Sequence, residues 1–123
     1  MISTETTDVL SILKSLQKDK ANRLNPDIPR RLKTCELAER LECSIREAAD
    51  AIAQLRDEGF LVANVGGGYF IAETREQMED TLGLYKRRAM TALVRLKKMQ
   101  RATNEAFPED EQRDFFKEAI DEA

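Results

Sequence analysis

Residues 32–72 switch their hydrophobic period from helical to extended, and that switch limits the folds open to the chain. Leu37, Ala38 and Leu41 recur at helical spacing, which predicts a helix of about two turns. Thr34 is a good N-cap for it, and Glu36 and Glu39 set negative charge near the positive helix start. Glu42-Cys43 interrupts the pattern. Ser44 restarts it, with Glu47 three residues on, the spacing of a capping box. Ile45, Ala48, Ile52 and Leu55 form one apolar stripe, and Gly59 follows where a left-handed residue ends a helix. The period then falls to that of strands. Residues 60–65 are rich in β-branched and aromatic residues, Gly66-Gly67-Gly68 takes positive φ at little cost, and residues 69–72 form the return strand. Helix, three-residue turn, helix, hairpin is the expected order.

The flanks follow from this centre. Upstream, Val9, Ile12, Leu13 and Leu16 give a first helix its apolar face, capped by Thr6 or Thr7. Asn25-Pro26-Asp27 and Pro29 mark residues 21–29 as a loop, and residues 30–33 form a short strand beside the hairpin. Downstream, Thr74 and Gln77 repeat the capping-box spacing and open a long helix. Apolar or small residues then fall at Met78, Leu82, Tyr85, Ala89, Ala92, Leu96, Met99, Thr103 and Ala106, at alternating intervals of four and three. That is a heptad seam, which Leu93 widens. A helix of about 30 residues spans about 45 Å, more than so small a domain covers. An unshared seam of that size leaves a patch that soluble monomers avoid. The expectation is a homodimer through Met78, Leu82, Tyr85, Ala89, Ala92, Leu96 and Met99; the alternative is packing of this helix on the first. The expected organisation is a domain over residues 1–73, a dimerisation helix over 74–106 and an acidic C-terminal tail with a short helix over 107–123.

Charge is striped along the chain, so the net −3 conceals basic surfaces. Lys14, Lys18, Lys20, Arg23, Arg30, Arg31 and Lys33 face only Asp19 and Asp27 within residues 14–33. Lys86, Arg87, Arg88, Arg95, Lys97, Lys98 and Arg101 have no acid among them between 81 and 104. The last segment, residues 105–123, is the reverse, with eight acids against Arg113 and Lys117. Its Phe115 and Phe116 favour docking on the basic helix, which would hide two adjacent rings from water.

Several function classes are disfavoured. No apolar run is long enough for a membrane span or a signal peptide, which points to the cytoplasm. Cys35 and Cys43 are the only thiols and there is no histidine, so the chain alone has no set of four zinc ligands and no Cys–His or Ser–His pair. The glycine triplet lies between strands, the wrong context for a phosphate loop. The expectation is no enzyme, no cofactor, no metal and no small-molecule ligand.

Leu37-Ala38-x-x-Leu41-x-Cys43-Ser44 and Leu55-Arg56-Asp57-Glu58-Gly59-Phe60-Leu61 resemble bacterial winged helix-turn-helix regulators. Gly67-Gly68-Tyr69-Phe70-Ile71-Ala72-Glu73-Thr74 is similar to the wing exit of small GntR-like (YtrA-type) regulators and of phage-encoded winged-helix proteins. Two departures stand out: Glu42 occupies a turn position that is usually Gly, and the wing has no Lys or Arg between Gly59 and Glu73. The resemblance implies an α+β winged helix-turn-helix, mainly α with a small β-hairpin wing, followed by a long C-terminal helix. It implies a transcriptional regulator that binds double-stranded DNA. Ser44, Arg46, Glu47, Asp50 and Gln54 of the reading helix would contact bases, Arg46 suiting guanine and Gln54 adenine. Arg30, Arg31, Lys33, Thr34 and Gly67 would contact the backbone. Asp50 and Asp57 are repelled by phosphates, so a second expectation stands beside the first: a winged-helix protein-interaction module, a phage or replication accessory factor with weak or no DNA binding.

Overall fold

The computed structural model describes residues 3–109 and 113–122. Residues 1, 2, 110–112 and 123, which include part of the expected acidic tail, lie outside the described residues. The chain is mainly helical with one small antiparallel sheet: α1 (Thr4–Lys18), β1 (Leu32–Lys33), α2 (Thr34–Leu41), α3 (Ile45–Asp57), β2 (Val62–Val65), β3 (Gly68–Ile71), α4 (Arg75–Ala106) and α5 (Phe115–Glu122). It divides into two compact units, Met1–Leu82 and Gly83–Ala123.

In the first unit, α1 packs on α2 and α3 through Val9, Leu13 and Leu16, which meet Leu37, Ala48, Ile52 and Leu55 in one buried core. Ser3 caps α1, its hydroxyl accepting the N–H of Thr6 at 3.1 Å. This corrects the expected cap at Thr6 or Thr7: Thr6 lies on the same helical face as Val9 and Leu13 and is fully buried. The cap of α2 is likewise Lys33, one residue before the expected Thr34. Lys33 ends β1 and so already has the extended backbone an N-cap needs, and its N–H donates to the Glu36 carboxylate at 3.1 Å.

The turn between α2 and α3 is closed by backbone bonds from Cys43 to the Ala38 carbonyl at 3.0 Å and from Glu42 to Glu39 at 3.3 Å. Glu42 sits between them in the left-handed region, at φ 54° and ψ 42°. Glycine meets this requirement without strain; glutamate does not. The expected box at the start of α3 is present, with Glu47 N–H to the Ser44 hydroxyl at 3.0 Å and Ser44 N–H to the Glu47 carboxylate at 3.3 Å. Gly59, at φ 93°, ends α3, and Phe60 N–H reaches back to the Leu55 carbonyl at 3.0 Å. Ile45 departs from expectation. It is 60% exposed, because Ala48, Ala51, Ile52 and Leu55 complete the buried stripe without it.

The sheet has the order β1-β3-β2, with Leu32 opposite Tyr69 and Ala63 opposite Phe70. Gly66 and Gly67 form the hairpin turn at φ 60° and 81°, the paired positive values of the two-residue turn that matches strand twist. Gly68 serves a different purpose. A Cβ there would lie 2.7 Å from Cγ of Arg31, so its bare backbone makes room for that side chain. Leu32 and Val62 face the helices, while Ala63, Phe70 and Ala72 face Ile28, Val65 and Met78 on the other side. Strand β2 is an edge, and α4 covers it: Asn64 N–H donates to the buried Thr81 hydroxyl at 2.9 Å.

In the second unit, α5 docks on the basic part of α4. The Gln100 side-chain oxygen accepts the N–H groups of Phe115 and Phe116, and its amide donates to Asp114 at 3.3 Å. The Lys97 ammonium lies 5.4 Å from the Phe116 ring centroid. This is the fold-back that the paired aromatics led us to expect.

Candidate nucleic-acid interface

Arg30, Arg31 and Lys33 come together around a cleft of about 300 Å³ between the loop after α1, the start of α2 and the hairpin tip. Two constraints hold them there. Residues 32 and 33 are fixed by pairing with β3, which sets where the preceding arginines leave the sheet. The stem of Arg31 then lies across Gly68, with its guanidinium toward Gly66. Arg30 stands 3.8 Å from Asp19, an exposed contact worth little. Among the described residues Arg31 and Lys33 form no ion pair. Glu36 also lines the cleft, with one carboxylate oxygen taken by the Lys33 N–H. Thr34 is the first residue of α2 and is half-buried, and Gly67 is exposed at the hairpin tip. Three cations against one acid give the cleft a local positive potential that the net charge of the chain hides.

Arg23 belongs elsewhere, although it stands in the same basic run. Its side chain is 5% exposed, pairs with Glu73 at 3.1 Å and donates to the Gln17 carbonyl at 2.8 Å. It ties the loop to the end of α1 and leaves the basic surface. No sequence signal links Arg23 to an acid fifty residues away.

The five residues expected to touch bases divide into three groups. Arg46 and Asp50 are exposed one turn apart on α3. Ser44 and Glu47 are exposed too, but they are joined to each other by the capping box. Gln54 is turned toward α1, where its side-chain oxygen accepts the Thr6 hydroxyl and the Ser3 N–H. Beside Arg46 runs an apolar lane that the sequence reading missed: Ile45, Ala49 and Ala53, all exposed and four residues apart. The expectation that Ile45 belonged to the core had hidden it.

On α4 the expected seam is open. Leu82, Tyr85 and Met99 are 57%, 48% and 55% exposed, Ala89 and Ala92 are exposed, and Leu96 is half-buried. Met78 packs against Ala63, Phe70 and Ala72, so it is the seam residue committed to its own sheet. Lys86, Arg87, Arg88, Arg95, Lys97, Lys98 and Arg101 are all exposed.

Burial, with the Glu47 and Glu5 carboxylates nearby, pushes the Cys43 thiol up, away from its reactive form. Cys35 is exposed and free. Among the described residues no group of His, Cys, Asp or Glu is placed to hold a metal ion, and no helix is long and apolar enough to cross a membrane. No family model, curated protein or solved structure matches the chain.

Proposed function

We propose that the chain is a DNA-binding transcriptional regulator of the winged helix-turn-helix type, acting as a homodimer and reading an operator through α3. One observation carries the reading: Arg30, Arg31 and Lys33 line a single cleft with the hairpin tip, beside the start of α2. Helix N-termini and grouped cations suit phosphates, and the order α1-β1-α2-α3-β2-β3 supports a helix-turn-helix followed by a wing. Arg46, exposed in the first turn of α3, has the reach for guanine O6 and N7. Seam residues from Leu82 to Met99 supply the surface for pairing two readers on a two-fold site.

A second reading has its own support. The exposed face of α3 carries Ile45, Ala49 and Ala53 beside Asp50 and Asp57, a surface suited to a protein partner in an accessory factor of phage or replication type. Selection from a random duplex pool separates the two. For the regulator, selected duplexes bind in preference to scrambled ones, and Arg46→Ala loses about 10- to 100-fold of that preference with little change in stability. Equal affinity of the unmodified protein for selected and scrambled duplexes would favour the interaction module.

A further inference from the structure

We infer that a second copy of this chain covers the α4 seam in antiparallel orientation, with Ala89 of each copy facing Met99 of the other. The inference rests on the self-association proposed above and adds its geometry. Read along the exposed helix, the seam has a size pattern: Leu82 and Tyr85 are large, Ala89 and Ala92 small, Leu96 and Met99 large, Thr103 and Ala106 small. Reversing the helix against itself sets every large residue opposite a small one. Tyr85 meets Thr103, Ala89 meets Met99 and Ala92 meets Leu96, with Leu82 against Ala106 at the ends. Each layer then has about the same total volume, so the two helices stay evenly spaced.

A parallel, in-register pair lacks this match. Two adjacent alanine layers would lie between Tyr85 and Leu96, and the bulky layers would hold the helices apart over a void. Flank charges are a weaker guide. Antiparallel pairing brings the two Arg95 side chains near each other, but both are exposed, where salt and water screen them. It also sets Lys86 of one copy beside Gln100 of the other, whose amide holds the Asp114 carboxylate. The docked α5 meets Gln100 and Lys97, on the flank of the seam, and leaves Tyr85 and Met99 open.

Cysteine cross-linking tests the orientation in the full chain carrying Cys35→Ser and Cys43→Ala. Ala89→Cys and Met99→Cys are made singly and together, and each protein is sedimented, oxidised with glutathione disulfide and run on a non-reducing denaturing gel. The two positions are about 15 Å apart along one helix, too far for a bond within one chain. The expected result is a sedimenting dimer throughout, with most of the double variant cross-linked and neither single variant cross-linked. Self-linking of either single variant would mean parallel pairing and would overturn the inference while leaving the dimer intact. A dimer that links in no variant would move the interface off this seam and also overturn it. A monomer in sedimentation would remove the self-association itself. Tyr85→Cys with Thr103→Cys repeats the test on the neighbouring layer, in case one pair disturbs folding.

Discussion

Thr81→Val removes one hydroxyl and almost no volume, and it tests how α4 completes the first unit. Thr81 is 3% exposed, and its oxygen accepts the Asn64 N–H at 2.9 Å on the free edge of β2. The next backbone N–H groups along β2 are engaged by β3; that of Asn64 points outward, and among the described residues no strand lies beyond it. With valine in place, the amide stays covered by the helix and has no acceptor. A buried donor left unpaired costs about 1–3 kcal/mol. For a unit of this size each kcal/mol lowers the melting temperature by roughly 4–8 °C. Thr81→Ser keeps the acceptor and loses one methyl, at about 1 kcal/mol. Urea unfolding followed by far-ultraviolet circular dichroism, at one fixed protein concentration so that any self-association contributes equally, measures both variants. The expected order is unmodified protein, then Thr81→Ser, then Thr81→Val. A Thr81→Val protein as stable as the unmodified chain would refute the claim that this hydroxyl seals the edge of the sheet.

Two further outcomes follow from local geometry. Glu42→Gly should raise the unfolding free energy by about 0.5–1 kcal/mol, since relief of the left-handed strain exceeds the extra chain entropy of glycine; a loss of stability in the same urea assay would count against the turn as described. The N–H of Lys117 and the Gln100 amide hold the Asp114 carboxyl below its ordinary range, so the docked state favours the ionised form. Docking of α5 is then fully supported above the usual carboxylate value and loosens as pH falls through the lower docked value, below about pH 4. The Phe116 ring signals in NMR spectra should report this, and Asp114→Asn should abolish the pH response; an unmodified protein whose Phe116 signals ignore acid would contradict it.

Much of the fold was legible because the periodicities are clean. Ser44 with Glu47, Gly59 after the last turn of α3, and the Gly66-Gly67 turn each carry a local requirement that only a few residue types meet. Helix edges were less legible. Thr34 and Lys33 compete for one cap, and the winner is set by strand pairing of Lys33 with Gly68, which is a tertiary fact. Ile45 illustrates the same limit at the site. Its apolar character suggested core, yet Ala48, Ala51, Ile52 and Leu55 further along α3 already fill the space. The grouping of Arg30, Arg31 and Lys33 was readable from their adjacency; the removal of Arg23 from that surface, and of Gln54 from the face of α3, depended on Glu73 and Thr6, distant in sequence. Gly68 shows how a correct residue choice can have an unforeseen cause: it was expected to supply positive φ and instead yields space to Arg31.

The most direct test of the regulator reading is the salt dependence of binding to a generic duplex. On that reading Arg30, Arg31 and Lys33 from two copies would engage about six phosphates, and affinity should fall on the order of a thousandfold between about 50 and 200 mM salt. No measurable binding at the lower salt, or binding that salt leaves unchanged, would contradict the account.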